Sequence, residues 1–279
     1  MSQLLDENGL NEKEFLEQYN PGDFARPSIT VDIVIFTIAD VREDNYRKLP
    51  EKELRILLIR RGGHPYIGQW ALPGGFVHPK ETVGEAAKRE LEEETGLQSG
   101  YLEQLYTFSK PGRDPRTWVI SCAHMALINS ERLKLRAGSD AEDARWFTVK
   151  TENPAENINL FLSNPELNLS AVIMPESDRM ELEIIENSGL AFDHAEIIMC
   201  AVNRLRAKLL HTDLAFSLMP KEFTLTELQQ VYEAILGRPL FKAAFRRKIK
   251  NLVVETGEYT QNAGHRPSQL FKLRTKQKK

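Results

Sequence analysis

The sequence predicts a mixed α/β domain followed by a smaller winged helix-turn-helix domain. Three observations support this prediction: strand-like runs rich in Ile, Val and Leu, one helix crowded with glutamates, and two short helices before a hairpin near the C-terminus. A chain of 279 residues also exceeds the usual size of one domain. We therefore expect an N-terminal segment at residues 1–28, the α/β domain at 29–212 and the winged-helix domain at 213–279.

In the α/β domain, runs of aliphatic and β-branched residues alternate with one strongly marked helix. Strands are predicted at residues 30–38, 54–61, 71–77, 102–109, 117–128 and 144–149. A helix is predicted at residues 82–95, because Thr82 and Glu85 fit a capping box and Gly96 occupies the usual position of a C-cap glycine. Another helix is predicted at residues 195–210. Residues 153–189 have a mixed pattern and are interpreted as a candidate insertion.

The C-terminal part follows the order helix, turn, helix, hairpin. Thr224 and Glu227 form a second capping box, for a helix that ends near residue 236. A tight turn at residues 237–239 precedes a helix at residues 241–252. Two strand-like pieces then flank a loop at residues 257–267. This order is typical of a winged helix-turn-helix.

The composition is that of an ordinary soluble globular protein, with 41% apolar and 28% charged residues. The two cysteines, Cys122 and Cys200, are too few for a disulfide framework and lack the spacing of a metal site, so we expect a reducing, cytoplasmic environment. The acidic N-terminal segment contains no apolar core of a signal peptide. Because the longest apolar stretches fall far short of the ~20 residues of a membrane span, we expect a protein that is neither secreted nor membrane-spanning.

Charge is distributed unevenly along the chain, although the net charge is only −3. Residues 221–279 contain 13 Lys and Arg against 5 Asp and Glu, a net charge of +8, which leaves −11 for the remainder. A basic domain attached to an acidic body indicates an anionic partner, with nucleic acid as the first candidate. A solvated basic surface without a partner is the alternative.

The helix predicted at residues 82–95 concentrates carboxylates on one face. Glu90, Glu93 and Glu94 stand at positions i, i+3 and i+4, which lie side by side on a helix, so their charges repel. A divalent cation would remove this repulsion, and Mg²⁺ prefers such oxygen ligands, with Mn²⁺ as the alternative. Gly74 and Gly75 permit close backbone approach, so a main-chain carbonyl can join the ligands. Taken alone, the triplet could equally be a solvated acidic face.

These residues resemble the signature of the Nudix superfamily, in which a glycine and a glutamate precede the string Arg-Glu-aliphatic-x-Glu-Glu-x-Gly-aliphatic at fixed spacing. Every fixed position is filled, by Gly75, Glu81, Arg89, Glu90, Leu91, Glu93, Glu94, Gly96 and Leu97. The resemblance implies an α/β/α sandwich with a mixed sheet. It also implies a substrate in which a nucleoside diphosphate is linked to another moiety.

The resemblance further implies catalytic roles within the signature. The metal ligands would be the carbonyl of Gly74 and the carboxylates of Glu93 and Glu94. Glu90 would be a further ligand or the catalytic base. Arg89 would orient Glu90 or Glu94 through a charge-assisted hydrogen bond.

Other charged residues are candidates for substrate binding. A loop between two predicted strands carries Lys110, Arg113 and Arg116, cations that can hold a pyrophosphate or a carboxylate. A plain hairpin turn is the alternative interpretation of this loop. By resemblance to Nudix enzymes, Glu81 would bind the metal indirectly or brace the loop beside the substrate. Asp140 is a candidate for the extra acidic residue that many of these enzymes use.

A second resemblance, to the Nudix-related transcriptional regulators of NAD metabolism, extends over nearly the whole chain. It rests on the Gly-Arg-Asp-Pro-Arg string at residues 112–116, on residues 137–147 and 190–194, and on the order of the two domains. It implies a dimeric repressor that ADP-ribose releases from its operator. Many such regulators have a degraded Nudix signature, whereas the signature here is intact, which favours retained hydrolysis or at least retained metal binding.

The helix predicted at residues 241–252 has the pattern of a DNA-recognition helix. An apolar stripe is expected at Phe241, Phe245, Ile249 and Leu252. Cations recur on a neighbouring face, at Lys242, Arg246, Arg247 and Lys250, where they would meet phosphates and base edges in a major groove. On the wing loop that follows, Arg266 would reach a minor groove or a phosphate.

The sequence therefore leads to one main hypothesis and two alternatives. The main hypothesis is a homodimeric repressor whose Nudix domain binds, and hydrolyses, ADP-ribose or a close relative with Mg²⁺ and whose winged helix binds double-stranded operator DNA. The first alternative is an ADP-ribose pyrophosphatase whose C-terminal domain serves only dimerisation or packing. The second is a repressor without turnover that senses a sugar or a nucleotide.

Overall fold

The computed structural model describes residues 4–41, 49–97, 100–129, 141–154, 156–175, 182–260 and 267–274. The helices in this part of the chain are α1 (Glu12–Gln18), α2 (Val83–Thr95), α3 (His194–Leu209), α4 (Leu225–Leu236) and α5 (Lys242–Ile249). The strands are β1 (Ser28–Asp40), β2 (Lys52–Arg61), β3 (Trp70–Ala71), β4 (Gly74–Phe76), β5 (Tyr101–Phe108), β6 (Val119–Leu127), β7 (Ala141–Glu152), β8 (Ile158–Ser163), β9 (Asn168–Pro175), β10 (Leu182–Ser188), β11 (Val253–Tyr259) and β12 (Gln269–Leu273).

One mixed sheet organises the N-terminal domain. Its strands follow the order β10-β9-β8-β7-β2-β1-β6-β5, with β3 paired to β2 and β4 paired to β1. Strands β1 and β6 run parallel, with Val34 opposite Met125, whereas β1 and β2 are antiparallel, with Phe36 opposite Ile56. Strand β1 therefore lies between partners of both directions at the centre of the domain.

Helices cover both faces of this sheet. Alternate residues of a strand point to opposite faces, so Val31, Ile33 and Ile35 pack with α2, whereas Val34 and Phe36 share a core with α3. This arrangement confirms the α/β/α sandwich with a mixed sheet.

The stretch at residues 153–189 extends the sheet rather than forming a separate unit. It supplies the antiparallel strands β8, β9 and β10, which continue outward from β7. Leu160, Leu162 and Ile173 are fully buried in the common core. The strand predicted at residues 71–77 is instead two short pieces, β3 and β4.

Both predicted capping boxes are present. The Thr82 side chain accepts from the amide of Glu85 while the Glu85 carboxylate accepts from the amide of Thr82, and Thr224 and Glu227 repeat this arrangement at the start of α4. Gly96 ends α2 in the left-handed conformation, at φ 70°. These local signals fix the ends of the two helices.

The winged-helix domain packs directly on the sandwich. Helix α4 lies against β2 and α3, and its buried side chains belong to the same continuous core as β1 and α3. Strands β11 and β12 form the antiparallel wing hairpin, and Phe223 pairs with Phe271. None of the helices in the described ranges is both long and apolar enough to cross a membrane.

The expected apolar stripe on α5 was wrong at one position. Phe245 and Ile249 are buried as predicted, but Phe241 is 89% exposed. Phe241 is the N-cap residue, with an extended backbone at φ −67° and ψ 117°, so its side chain does not follow the helical spacing. The helix also ends at Ile249, three residues before the predicted end, and Leu252 continues from a turn.

We predict that Phe36→Ala destabilises both domains in one cooperative transition. Phe36 is fully buried in a core that continues from β1 into the winged helix, and truncation of a core phenylalanine costs about 3–5 kcal/mol. Urea unfolding monitored by circular dichroism measures this loss, with the exposed Phe24→Ala as the matched control. Two well-separated transitions in the variant would contradict a shared core.

Candidate functional site

The glycine loop, residues Gly74–Phe76, is packed so tightly against α2 and β1 that only glycine fits at its first two positions. A Cβ on Gly75 would collide with Oε1 of Glu90, and a Cβ on Gly74 would collide with the carbonyl oxygen of Val31. The backbone of β4 therefore lies directly against a carboxylate of α2. This approach is the close contact that the two glycines predicted.

Arg89 organises the charged face of α2. Its Nη1 donates to Oε1 of Glu90 at 2.7 Å, and its Nη2 and Nε donate to the two carboxylate oxygens of Glu81 at 2.8 and 3.1 Å. A further bond from Nη2 reaches the carbonyl of Phe76. Hydrogen bonds from Arg89 and from the amide of His78 lower the pKa of Glu81 to about 2. Glu81 thus ties the loop after β4 to α2.

The three signature glutamates of α2 differ in exposure. Glu90 and Glu94 are buried, whereas the side chain of Glu93 is 54% exposed and lies 3.6 Å from Arg89. Burial raises the pKa of Glu90, although its hydrogen bond with Arg89 opposes the shift. Across the described ranges, no three carboxylate, imidazole or thiolate side chains form a group that could hold a metal ion. The predicted metal ligands, which include Gly74, therefore stay a prediction.

A cavity of about 650 Å³ opens between the glycine loop and the N-terminal end of α3. Its volume is within the range of small-molecule sites. It is lined by Thr30, Asp32, Ile59, Arg61, Gly62, Gly63, His64, Leu72, Gly74, Gly75, Phe76, Arg113, Asp114, Arg116, Val119, Phe192 and His194. The glycine loop thus forms part of the cavity wall.

Two arginines and two aromatic rings shape one side of this cavity. The guanidinium carbon of Arg61 lies 4.9 Å from the ring centroid of Phe192, and that of Arg116 lies 5.9 Å from the same centroid. Arg116 also lies 5.5 Å from the ring of Phe76. This group can offer cations to phosphates and an aromatic face to a planar base.

A buried ion pair between Arg113 and Asp193 forms the floor of the cavity. Arg113 donates through Nε and Nη2 to the two carboxylate oxygens of Asp193, each at 2.7 Å, and Nη2 also lies 3.4 Å from Oδ2 of Asp32. Burial alone would lower the pKa of the Arg113 guanidinium, but the bonds and charges of Asp193 and Asp32 outweigh burial and raise it. Ser121 donates to Asp32 from the neighbouring strand β6.

His194 joins this network at the start of α3. Its Nδ1 accepts from the amide of Leu72 at 2.8 Å, so the other nitrogen, Nε2, faces Oδ1 of Asp32 at 3.5 Å. Burial lowers the pKa of His194 below its ordinary value. A neutral imidazole therefore connects the residue after β3, strand β1 and the start of α3.

The structure places the predicted substrate residues differently. Arg116 lines the cavity with its side chain 43% exposed, although Asp114 holds it at 2.7 Å. Arg113 also lines the cavity, but its side chain is 4% exposed and committed to carboxylates. Lys110 is exposed and does not line the cavity, and Glu81 binds Arg89. Asp140 lies outside the described residues.

The sequence analysis assigned no role to Arg61 and Phe192, which line the cavity, or to Asp193, which binds Arg113. Arg61 had no signal beyond its position at the end of β2, whereas Phe192 and Asp193 fall in the segment at residues 190–194 that supported the second resemblance. That segment signalled a site without assigning roles. The role of Asp193 becomes visible only in the structure, where its carboxylate binds Arg113, which is 80 residues away in the sequence.

The outer face of α5 is a basic surface. The exposed positions of and just after this helix carry Lys242, Arg246, Arg247, Lys248 and Lys250. Lys248 differs from the others because its amine lies 5.8 Å from the ring of Tyr232 and burial lowers its pKa. The four predicted contact residues of this helix thus face solvent, while Arg266 lies outside the described residues.

Fold and sites define a class of protein: a Nudix domain with a cation-lined cavity, joined to a DNA-binding winged helix. Residues 31–161 match the NUDIX domain family, and residues 215–273 match the family of the NrtR DNA-binding winged helix domain. The chain is 35% identical over 269 residues to the ADPR responsive transcriptional repressor NtrR of Acinetobacter baylyi, which covers 95% of this chain and 90% of that relative.

A solved structure and a second relative agree with this class. The crystal structure of Shewanella oneidensis NrtR complexed with a 27mer DNA has a TM-score of 0.60 and 29% identity, covering 88% of this chain and 93% of that chain. An ADP-ribose pyrophosphatase of Methanocaldococcus jannaschii is 47% identical over 99 residues, 36% of this chain and 57% of that enzyme. The chain belongs to the NrtR family of Nudix-related transcriptional regulators.

We predict that Arg113→Leu destabilises the fold by about 3–5 kcal/mol, because it leaves the buried carboxylates of Asp193 and Asp32 without their cation. Arg145→Leu is the matched control, since its carboxylate partners Asp143 and Glu166 are 33% and 71% exposed and pairs of this kind contribute little to stability. Thermal and urea unfolding of both variants measure the difference. If Arg113→Leu kept wild-type stability and lost only ligand affinity, Arg113 would be the direct ligand contact that the sequence suggested.

Proposed function

We propose that this protein is an ADP-ribose-responsive transcriptional repressor that retains Nudix hydrolase activity. The observation that carries the proposal is the presence, in one continuous core, of a cation-lined cavity beside an intact Nudix signature and of a basic recognition helix. The full-length similarity to an ADPR responsive repressor supports the same assignment.

ADP-ribose fits the chemistry of the cavity. Its pyrophosphate requires cations, which Arg61 and Arg116 provide at the cavity wall. Its adenine requires an apolar planar contact, for which Phe192 and Phe76 are the rings on hand. Arg113 contributes by binding Asp193 at the floor of the cavity and does not contact the ligand itself. Isothermal titration with ADP-ribose tests binding directly.

The signature fits a hard divalent cation in its donor chemistry. Glutamates share one face of α2, and Glu90 lies against a glycine backbone that leaves no room for a side chain at Gly75. Gly74, Glu93 and Glu94 would hold Mg²⁺ or Mn²⁺, and Glu90 would be a further ligand or the base. When bound, such an ion supplies a bridge to phosphate oxygens and lowers the pKa of a water molecule. Glu90 suits a base because burial raises its pKa, and Arg89 orients its carboxylate.

We predict that Glu93→Gln lowers ADP-ribose turnover at least about 100-fold, because loss of a ligand should cost no less than loss of an outer partner of a metal site. The assay follows AMP and ribose 5-phosphate in the presence of Mg²⁺. Glu92→Gln, at the neighbouring exposed glutamate that occupies a variable position of the signature, is the matched control and should keep full turnover. Wild-type turnover in Glu93→Gln would refute the metal assignment, whereas an inactive wild type that binds ADP-ribose would leave a sensor without hydrolysis.

The basic face of α5 supports operator binding. The side chains at positions 243 and 244 in its first turn are both alanine, and their small size lets the backbone approach a major groove. Lys242, Arg246 and Arg247 can then reach phosphates and bases. The exposed Phe241 stands at the same end and can contact a thymine methyl. A homodimer would present two such helices to symmetric half-sites, and sedimentation velocity tests this assembly.

We predict that Arg246→Ala weakens binding to the native upstream DNA roughly tenfold and reduces the salt dependence by about one phosphate contact. The side chain of Arg246 is exposed on the outer face of α5, away from the cavity lining, so ADP-ribose affinity should not change. Fluorescence anisotropy at several salt concentrations provides the measurement, with the exposed Arg26→Ala as control. Equal loss of DNA and ADP-ribose binding would show that the two sites are not separate.

A further inference from the structure

Helix α3 reaches from the ligand cavity to the DNA-binding domain. Phe192 and His194 at its start line the cavity, and its later turns pack against α4. Its 16 residues span about 24 Å. One rigid helix therefore contacts both the cavity and the DNA-binding domain.

Arg206 makes the polar contact between α3 and α4. Its Nε donates to the carbonyl oxygen of Ile235 at 2.9 Å, in the last turn of α4. Gly237 then ends α4 in the left-handed conformation, and a Cβ at Gly237 would lie only 3.4 Å from Nη2 of Arg206. In the described part of the chain no carboxylate pairs with Arg206. A cation at this position stabilises the negative end of the α4 dipole.

The end of α4 is in turn tied to α5. The Glu233 carboxylate accepts from the amide of Leu240 at 2.7 Å, and Gln229 donates to the carbonyl of Leu240 at 3.0 Å. The ring of Tyr232 packs on Phe245 of α5 at 5.2 Å. The turn and α5 therefore follow any displacement of α4, and the hold of Arg206 on α4 acts on the recognition helix.

The cavity end of α3 carries unusual backbone geometry. Phe192 and Tyr66 are the two non-glycine residues in the described ranges with a left-handed φ, at 52° and 60°. Their rings contact each other, with centroids 4.7 Å apart. Bulky residues in this region cost energy and persist where surrounding structure holds them. A ligand that enters beside Phe192 thus meets a strained element directly before α3.

We propose that Arg206 is the positioning residue that links occupancy of the cavity, through α3, to the placement of α5 on DNA. This inference rests on the proposed ADP-ribose response and names its route. The N-terminal half of α4 has an independent support, because Gln230 donates to the carbonyl of Pro50 beside β2. Arg206 therefore controls the C-terminal end of α4, which leads into α5, rather than the attachment of the whole domain.

The test compares Arg206→Leu, Arg206→Lys and Arg204→Leu in the full chain. Arg204 is a matched control on the same helix, because its guanidinium binds Glu103 and the carbonyl of Leu105 on β5 instead of α4. Two quantities are measured for each protein. The first is the change in affinity for the upstream DNA on adding saturating ADP-ribose. The second is the change in hydrogen–deuterium exchange of the α4 end and α5 on adding ADP-ribose.

We expect ADP-ribose to change wild-type DNA affinity by about tenfold or more and to alter exchange at the C-terminal end of α4 and in α5. Arg206→Leu should bind ADP-ribose with wild-type affinity, but DNA affinity should change less than about twofold and exchange beyond α3 should stay constant. Arg206→Lys should restore part of the response, because an amine can also donate to the Ile235 carbonyl. Arg204→Leu should respond like the wild type.

Two results would overturn the proposal. One is a wild-type response in Arg206→Leu, and the other is an equal loss of response in Arg204→Leu, which would indicate a general weakening of α3. Failure of the proposed function is seen separately, in the wild-type protein. If wild type neither binds ADP-ribose nor changes its DNA affinity, the function itself is wrong before any variant is compared.

Discussion

The bidentate bond between Arg113 and Asp193 holds the ligand-binding half of this protein together. It joins the loop after β5 to the residue before α3, and the nearby Asp32 adds the central strand β1 to the same network. Burying three charges is costly unless they compensate one another, so each partner is needed by the other two. The cavity floor, the neutral His194 and the origin of α3 all depend on this arrangement.

A continuous hydrophobic core extends this dependence to the second domain. Side chains of β1, α3 and α4 belong to one cluster, so the winged helix is packed on the sandwich and not suspended from a linker. Coupling between distant sites needs an element that both can bias. Helix α3, with Phe192 at one end and Arg206 near the other, meets this condition, and the basic face of α5 lies only one turn beyond α4.

Predictions from local signals agreed well with the structure. The capping boxes begin α2 and α4 at the expected residues because the partners are three positions apart in the chain. Phe241 was misplaced because an N-cap residue departs from helical geometry, which spacing alone does not reveal. Strands β8 to β10 were not recognised because short strands acquire their identity from pairing with distant segments.

The glutamate face of α2, the glycine loop and the basic face of α5 are predictable from the sequence, since each depends on residues close together in the chain and on helical periodicity. The exposure of each cation and its carboxylate partners, in contrast, follow from the way the chain folds. Arg113 and Arg116 stand in one loop and both line the cavity, yet the side chain of Arg113 is 4% exposed between two carboxylates whereas that of Arg116 is 43% exposed beside Asp114. The electrostatic surroundings that separate them come from β1 and α3, which only folding brings to this loop.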